Sequence, residues 1–191
     1  MRGPLKGVRV LDMTSVLLGP FATQFLGDMG ADVIKIETPA GDITRYIPPQ
    51  RHKQMGFMFL CANRSKRSVV LDLKKDEARE VMLRLVRMAD VLVYSIRPAA
   101  MARLGLDYET LRAENPRLIY CGAYGFSERG PYRGRPAYDD IIQAACGIAA
   151  LQRNSDGEPR YANTVLADKT VGLHVLAAIV MALYERERSG E

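Results

Sequence analysis

The sequence predicts a doubly wound α/β fold, a mostly parallel sheet with helices on both faces. Two observations carry this reading. Short apolar runs rich in Val, Ile and Leu alternate with amphipathic helical runs along the whole chain. The first such unit packs strand, helix and strand into about 30 residues, the length of a βαβ crossover between parallel strands. The 191 residues suit one domain with a full core, or one and a small piece.

Each element has its own signal. Val8 to Asp12 is an apolar strand. Gly19-Pro20 opens a helix whose face is expected to carry Phe21, Phe25, Leu26 and Met29, and Gly30 closes it. Asp32 to Ile36 is the second strand, and Thr38 to Phe59 reads as one long loop, a length that usually carries function. Ser68 to Asp72 is the third strand. Asp76 to Met88 is a helix with Ala78, Met82 and Leu85 in register. Ala89 to Ser95 is the fourth strand, Pro98 to Leu104 and Tyr108 to Glu114 are short helices, and Leu118 to Ala123 is the fifth strand. A Gly/Pro/Arg-rich loop, Gly125 to Pro136, leads to a helix over Asp139 to Ala150 and a polar turn region to Pro159. The last helix runs from Asp168 to Arg188. No internal repeat or low-complexity tract interrupts the pattern.

Composition narrows the class. Hydrophobic content of 48% and charged content of 26% are those of an ordinary globular protein. The net charge of +5 suits a polyanionic ligand. The basic residues are not interleaved with aromatics as in nucleic-acid readers. Cys61, Cys121 and Cys146 lie far apart without a CxxC and are expected to be buried free thiols. No His/Cys/carboxylate spacing implies a metal. The N-terminus does not read as a signal peptide, and the longest apolar run, Val175 to Leu183, is too short for a bilayer. A cytoplasmic protein without membrane or nucleic-acid partners is expected.

Two features bear on chemistry. No GxGxxG follows the first strand; Ser15-Val16-Leu17-Leu18-Gly19-Pro20 stands there, so the architecture lacks the dinucleotide fingerprint. Asp168 lies between apolar Val165-Leu166-Ala167 and a long apolar helix. A carboxylate there is expected to be the helix N-cap, and it is also placed to act as a nucleophile. His174, six residues on, has no triad spacing and is expected to be a core histidine.

Taken together, a set of short stretches resembles the class III (CaiB/BaiF-type) coenzyme A transferases, the family of formyl-CoA transferase and carnitine CoA-transferase. They are Gly7-Val8-Arg9-Val10-Leu11-Asp12 with Gly19-Pro20, then Gly30-Ala31-Asp32-Val33-Ile34-Lys35-Ile36-Glu37 and Gly41-Asp42-Ile43-Thr44-Arg45. Further on come Asn63 to Ser68, Leu71-Asp72-Leu73-Lys74, Arg97-Pro98, Arg103-Leu104-Gly105, Asn115 to Tyr120, Gly130-Pro131-Tyr132, and Ala167-Asp168 with Gly172. Their order and spacing hold from about residue 3 to the C-terminus.

The resemblance implies a Rossmann-like domain of an enzyme that moves CoA between carboxylic acids, acyl-CoA being the substrate and no metal being used. Asp168 matches the aspartate that attacks the thioester. Lys74 and Arg103, otherwise surface cations, match positions that contact the nucleotide, and Leu71 matches one lining the adenine. Val16 and Leu17 fall in the loop that meets the pantetheine arm, and Ser95 and Ile96 stand beside them where many members read Asn-Phe. Residues 1–191 would then be the N-terminal part of the large domain, without the second small domain and the C-terminal return segment. The family's interlinked homodimer, or a partner chain carrying the missing half, is the implied assembly.

Departures redirect the expectation. Formyl-CoA transferase has His and Gln where Ser15 and Leu17 stand, and the family Arg or Lys after the second strand is Thr38 here. A bulkier or more apolar acyl group than oxalate or formate is expected. α-Methylacyl-CoA racemase shares the motifs and uses a His-Asp pair where this chain reads Tyr138-Asp139. A phenol is a poor proton shuttle at neutral pH, so Tyr138 favours transfer over racemisation. A non-catalytic CoA-binding fragment is the third alternative.

Overall fold

The computed structural model describes residues 3–190; Met1, Arg2 and Glu191 lie outside the described residues. Five parallel strands form one sheet: β1 (Arg9–Met13), β2 (Asp32–Glu37), β3 (Lys66–Val70), β4 (Val91–Tyr94) and β5 (Ile119–Gly122), in the order β3-β2-β1-β4-β5. The helices are α1 (Leu18–Asp28), α2 (Phe57–Asn63), α3 (Asp76–Arg87), α4 (Pro98–Arg103), α5 (Tyr108–Glu114), α6 (Asp139–Ala145), α7 (Ile148–Leu151) and α8 (Leu166–Ser189).

The period of two along the strands sorts their side chains into two cores. Leu11, Met13, Ile34, Ile36, Leu92 and Tyr94 pack against Met82 and Val86 of α3, Met101 of α4 and Leu111 of α5. Val10, Val33, Val91 and Val93 pack on the other face against Ala22 and Leu26 of α1 and Val175, Ile179 and Leu183 of α8. Both faces are covered, as a doubly wound sheet requires.

Several boundaries and faces differ from the sequence reading. The long loop from Thr38 holds a 3-10 turn at Ile43–Tyr46 and then α2, because Asp42 caps the turn by accepting the Thr44 N–H. β3 starts two residues earlier than expected, since Lys66 and Arg67 pair with Val33 and Ile34. Leu71 therefore leaves the sheet, its N–H bonded to the Glu37 carbonyl. On α1 it is Ala22 and Leu26 that enter the core, while Met29 is exposed. The cysteines are free, but Cys61 and Cys146 are exposed rather than buried. α8 runs 24 residues and by length and composition alone could cross a bilayer, which counting only its unbroken apolar run concealed. In this fold one side of it forms core, and Leu173, Val180, Met181 and Tyr184 on the rest are exposed.

The strand order reverses between β1 and β4, and a crevice opens beyond their carboxyl ends, where open α/β sheets place ligands.

Candidate active site

The crevice is floored by the turn after β1, from Thr14 to Leu17. Outside side chains hold its backbone. Asp12 Oδ1 accepts the Thr14 N–H at 2.9 Å, Lys35 Nζ donates to the Thr14 carbonyl at 2.8 Å, and Ser95 Oγ accepts the Ser15 N–H at 3.1 Å. Val16 has φ of 67°. A β-branched residue in the left-handed region is strained, at a cost on the order of 1–3 kcal/mol, and persists only where its surroundings hold it. The helix that follows has Leu17 at its N-cap with no side-chain cap bond, so its first backbone N–H groups meet no capping side chain.

Asp168 reaches this turn because α8 lies close on α1. A Cβ at Gly172 would stand 2.8 Å from the Leu18 carbonyl oxygen and 3.0 Å from the Phe21 ring, so only glycine allows this approach. Asp168 is not the helix cap that its place in the sequence suggested. α8 begins at Leu166 with Val165 at the N-cap, which puts Asp168 in the first turn with its side chain free for other use. Its backbone N–H donates to Asp139 Oδ1 at 2.9 Å. Asp139 is in turn held by Gln143, which is buried and whose Oε1 accepts the Ala162 N–H at 2.8 Å. Burial, and secondarily the Asp139 charge, push the Asp168 carboxyl up to about 6.

One cleft is lined by Val16, Leu17, Ser95, Tyr138 and Asp168, with Arg97 and Arg135 among its other walls. A second, lined by Leu71, Lys74, Ile96, Thr38 and Leu104, meets it at Ser15. The structure thus brings together the sequence-singled residues in two adjoining compartments, with one exception. Arg103 is exposed at the last residue of α4 and lines neither cleft, because Met101 and Leu104 take the inward positions there. Tyr138 is at the cleft but 66% exposed, ahead of α6. His174 is no core residue; it is exposed, with Nδ1 2.8 Å from the Thr170 carbonyl oxygen. Among the described residues no three His, Cys, Asp or Glu side chains form a metal-holding group.

The sequence reading missed the charges beneath the turn. Asp12, Lys35 and Asp42 are buried, and Lys66 is nearly so. Lys66 Nζ pairs with Asp12 Oδ2 at 2.8 Å. Lys35 Nζ lies 3.0 Å from Asp42 Oδ2, near enough for charge pairing though off line for a hydrogen bond. Burial opposes the Asp12 charge, but Lys66 and then Lys35 outweigh it and hold the carboxyl well below the usual range. Burial pulls Lys66 down to about 8 against the pull of Asp12. A lysine inside the apolar strand Asp32-Val33-Ile34-Lys35-Ile36 was the available signal, since a buried cation needs a partner.

The family model described as CoA-transferase family III matches residues 5–191. The chain belongs to CoA-transferase family III. It is 44% identical over 195 residues to the succinate–glutarate CoA-transferase of Agrobacterium fabrum, covering 98% of this chain and 49% of that protein. It is 46% identical over 193 residues to the acetyl-CoA:oxalate CoA-transferase of Acetobacter aceti, covering 100% of this chain and 49% of that one. The crystal structure of a CaiB/BaiF family protein from Brucella suis superposes with a TM-score of 0.95 at 40% identity, covering 100% of this chain and 52% of that one. The family III chain thus spans about half the length of the curated relatives it matches.

Proposed function

We propose that the protein containing this chain transfers CoA from an acyl-CoA to a carboxylic acid, with Asp168 as the nucleophile. The observation that carries the reading is the place of Asp168: a half-buried carboxylate at the sheet's switch point, beside a strained turn and an uncapped helix start.

In the proposed mechanism the Asp168 carboxylate attacks the thioester carbonyl. The C–S bond breaks, CoA leaves as thiolate, and a mixed anhydride with Asp168 remains. The thiolate attacks the aspartyl carbonyl and expels the first acid as its carboxylate. The acceptor carboxylate then attacks the aspartyl thioester, and the thiolate returns to the acceptor's carbonyl, freeing Asp168. No net proton moves, so the site needs no acid/base pair. It needs donors for the oxyanion of each tetrahedral intermediate, and the first N–H groups of α1 supply that chemistry. Asp139 orients Asp168 through its N–H. The second cleft, with Leu71 against a ring and Lys74 near phosphate, suits the nucleotide end, and the Ser15 junction suits the arm between.

Tyr138, at a largely exposed position, supports transfer over a racemase-like proton exchange. We read the chain as the N-terminal part of the large domain of a longer, dimeric assembly, a reading supported by the exposed apolar residues of α8. The test is Asp168→Asn in the full-length protein with an acyl-CoA and a panel of acceptor acids. Loss of transfer with retained fold is expected. Retained turnover, or a CoA adduct trapped on a peptide lacking Asp168, sinks the assignment.

A further inference from the structure

We propose that the buried Lys35–Asp42 pair positions the reacting turn, acting through the backbone of Thr14 and Val16. Asp42 follows β2 and Lys35 lies within it, so neither belongs to the turn. Lys35 sits beside Asp12 in the β1–β2 register, and its Nζ is carried by strand geometry to the Thr14 carbonyl, 2.8 Å away. Asp42 uses its two oxygens differently. Oδ1 faces the Val16 N–H at 3.5 Å and accepts from Thr44 N–H and Oγ1 at 3.0 and 2.7 Å. Oδ2 faces Lys35 Nζ at 3.0 Å. The side chains of both are almost wholly removed from water, at 2% and 1% exposure.

A buried ion pair is a poor way to gain stability, since desolvation offsets its attraction and an apolar pair of similar size does as well. Its use here is directional. One partner takes the carbonyl and the other the N–H on either side of Ser15, and the residue between these anchors and the helix is the strained Val16. Released, Val16 would relax out of the left-handed region and turn the start of α1 with it. Val16 and Leu17 line the cleft of Asp168, so relaxation moves the oxyanion donors relative to the carboxylate. Such a shift, around 1 Å, costs about a hundredfold in rate while leaving distant binding contacts in place.

The catalytic half of this inference rests on the CoA-transfer reading; the clamp itself does not. The test therefore reads amide hydrogen exchange and kinetics on the full-length protein. In the wild type the Ser15 and Val16 amides should exchange at least about a hundredfold slower than an unstructured chain, although they lie in a surface turn. Unprotected amides overturn the clamp without any variant. The charge-free swap Lys35→Met/Asp42→Asn keeps the Asp42-side acceptor but removes the donor to Thr14. It should speed exchange at both amides at least about tenfold and lower kcat at least about thirtyfold. Lys35→Gln/Asp42→Asn restores a donor and should recover at least about tenfold of that loss. Met and Gln variants that match each other in exchange and kcat overturn the proposal, because a pair serving only to neutralise charge would favour neither. A wild type that transfers no CoA sinks the functional reading, and exchange still decides the clamp.

Discussion

The backbone N–H of Asp168 donates to the Asp139 carboxylate at 2.9 Å, so α6 and the first turn of α8 are tied at the cleft. The same contact brings one negative charge up to another. Burial, and secondarily that juxtaposition, holds the Asp168 carboxyl near 6 against an ordinary 3.8.

A stability consequence follows from the sign of that shift. Between pH about 4 and 6 the folded state keeps a proton that the unfolded state has released, so stability falls as pH rises through this window. Asp168→Asn removes the cost. It should be more stable than wild type by on the order of 1–3 kcal/mol near pH 7.5, and equal to it near pH 4, in urea unfolding. A variant no more stable than wild type at the higher pH contradicts the buried-carboxylate account.

The rate consequence concerns Asp139. A nucleophilic carboxylate must be ionised, so kcat/KM should rise with pH through about 6. Asp139→Asn keeps an acceptor for the Asp168 N–H and removes the charge. Its acid limb should move to lower pH, but not as far as the ordinary carboxylate value, because burial is the larger cause. An acid limb that stays put or moves up would show that Asp139 does not set the Asp168 charge.

Gly172→Ala tests how α8 reaches the turn. The added methyl would meet the Leu18 carbonyl at 2.8 Å, and backbone on both sides cannot yield cheaply. A loss of roughly 1–3 kcal/mol by chemical denaturation is expected, with transfer falling further than stability alone accounts for. Wild-type activity in this variant would mean that the close packing of α8 on α1 is dispensable.

Lys74→Ala tests the second cleft. Lys74 is exposed, so its attraction to a phosphate is screened by salt. CoA affinity should fall about three- to tenfold at low ionic strength, and the difference should shrink near 0.5 M salt. A salt-independent difference would place the nucleotide elsewhere. Arg103→Ala, by its position outside both clefts, serves as the comparison.

The sheet was legible because its residues obey local rules. Alternating apolar strands, a glycine at the end of α1 and amphipathic α3 need no distant partner to be read. The family motifs carried Asp168, Val16, Leu17, Leu71, Lys74, Ser95 and Ile96 to one end of that sheet, where the clefts are found. Arg103 lines neither cleft because it is the last residue of a short helix whose inward sites are taken by Met101 and Leu104.

By itself, then, the sequence determined the layers, the strand alternation and the residue type at the position proposed to react. Tertiary structure decided what those residues are. It moved Asp168 off the cap and into the first turn of α8, and raised its carboxyl by burial beside Asp139. It set Val16 in a left-handed turn and placed Lys35 and Asp42 beneath it. The physical reason is common to all of these. Desolvation, charge pairing and backbone strain depend on groups from different elements meeting in three dimensions, as Val16 and Asp42 do across 26 residues, and Asp139 and Asp168 across 29. Periodicity along a chain carries no record of such meetings.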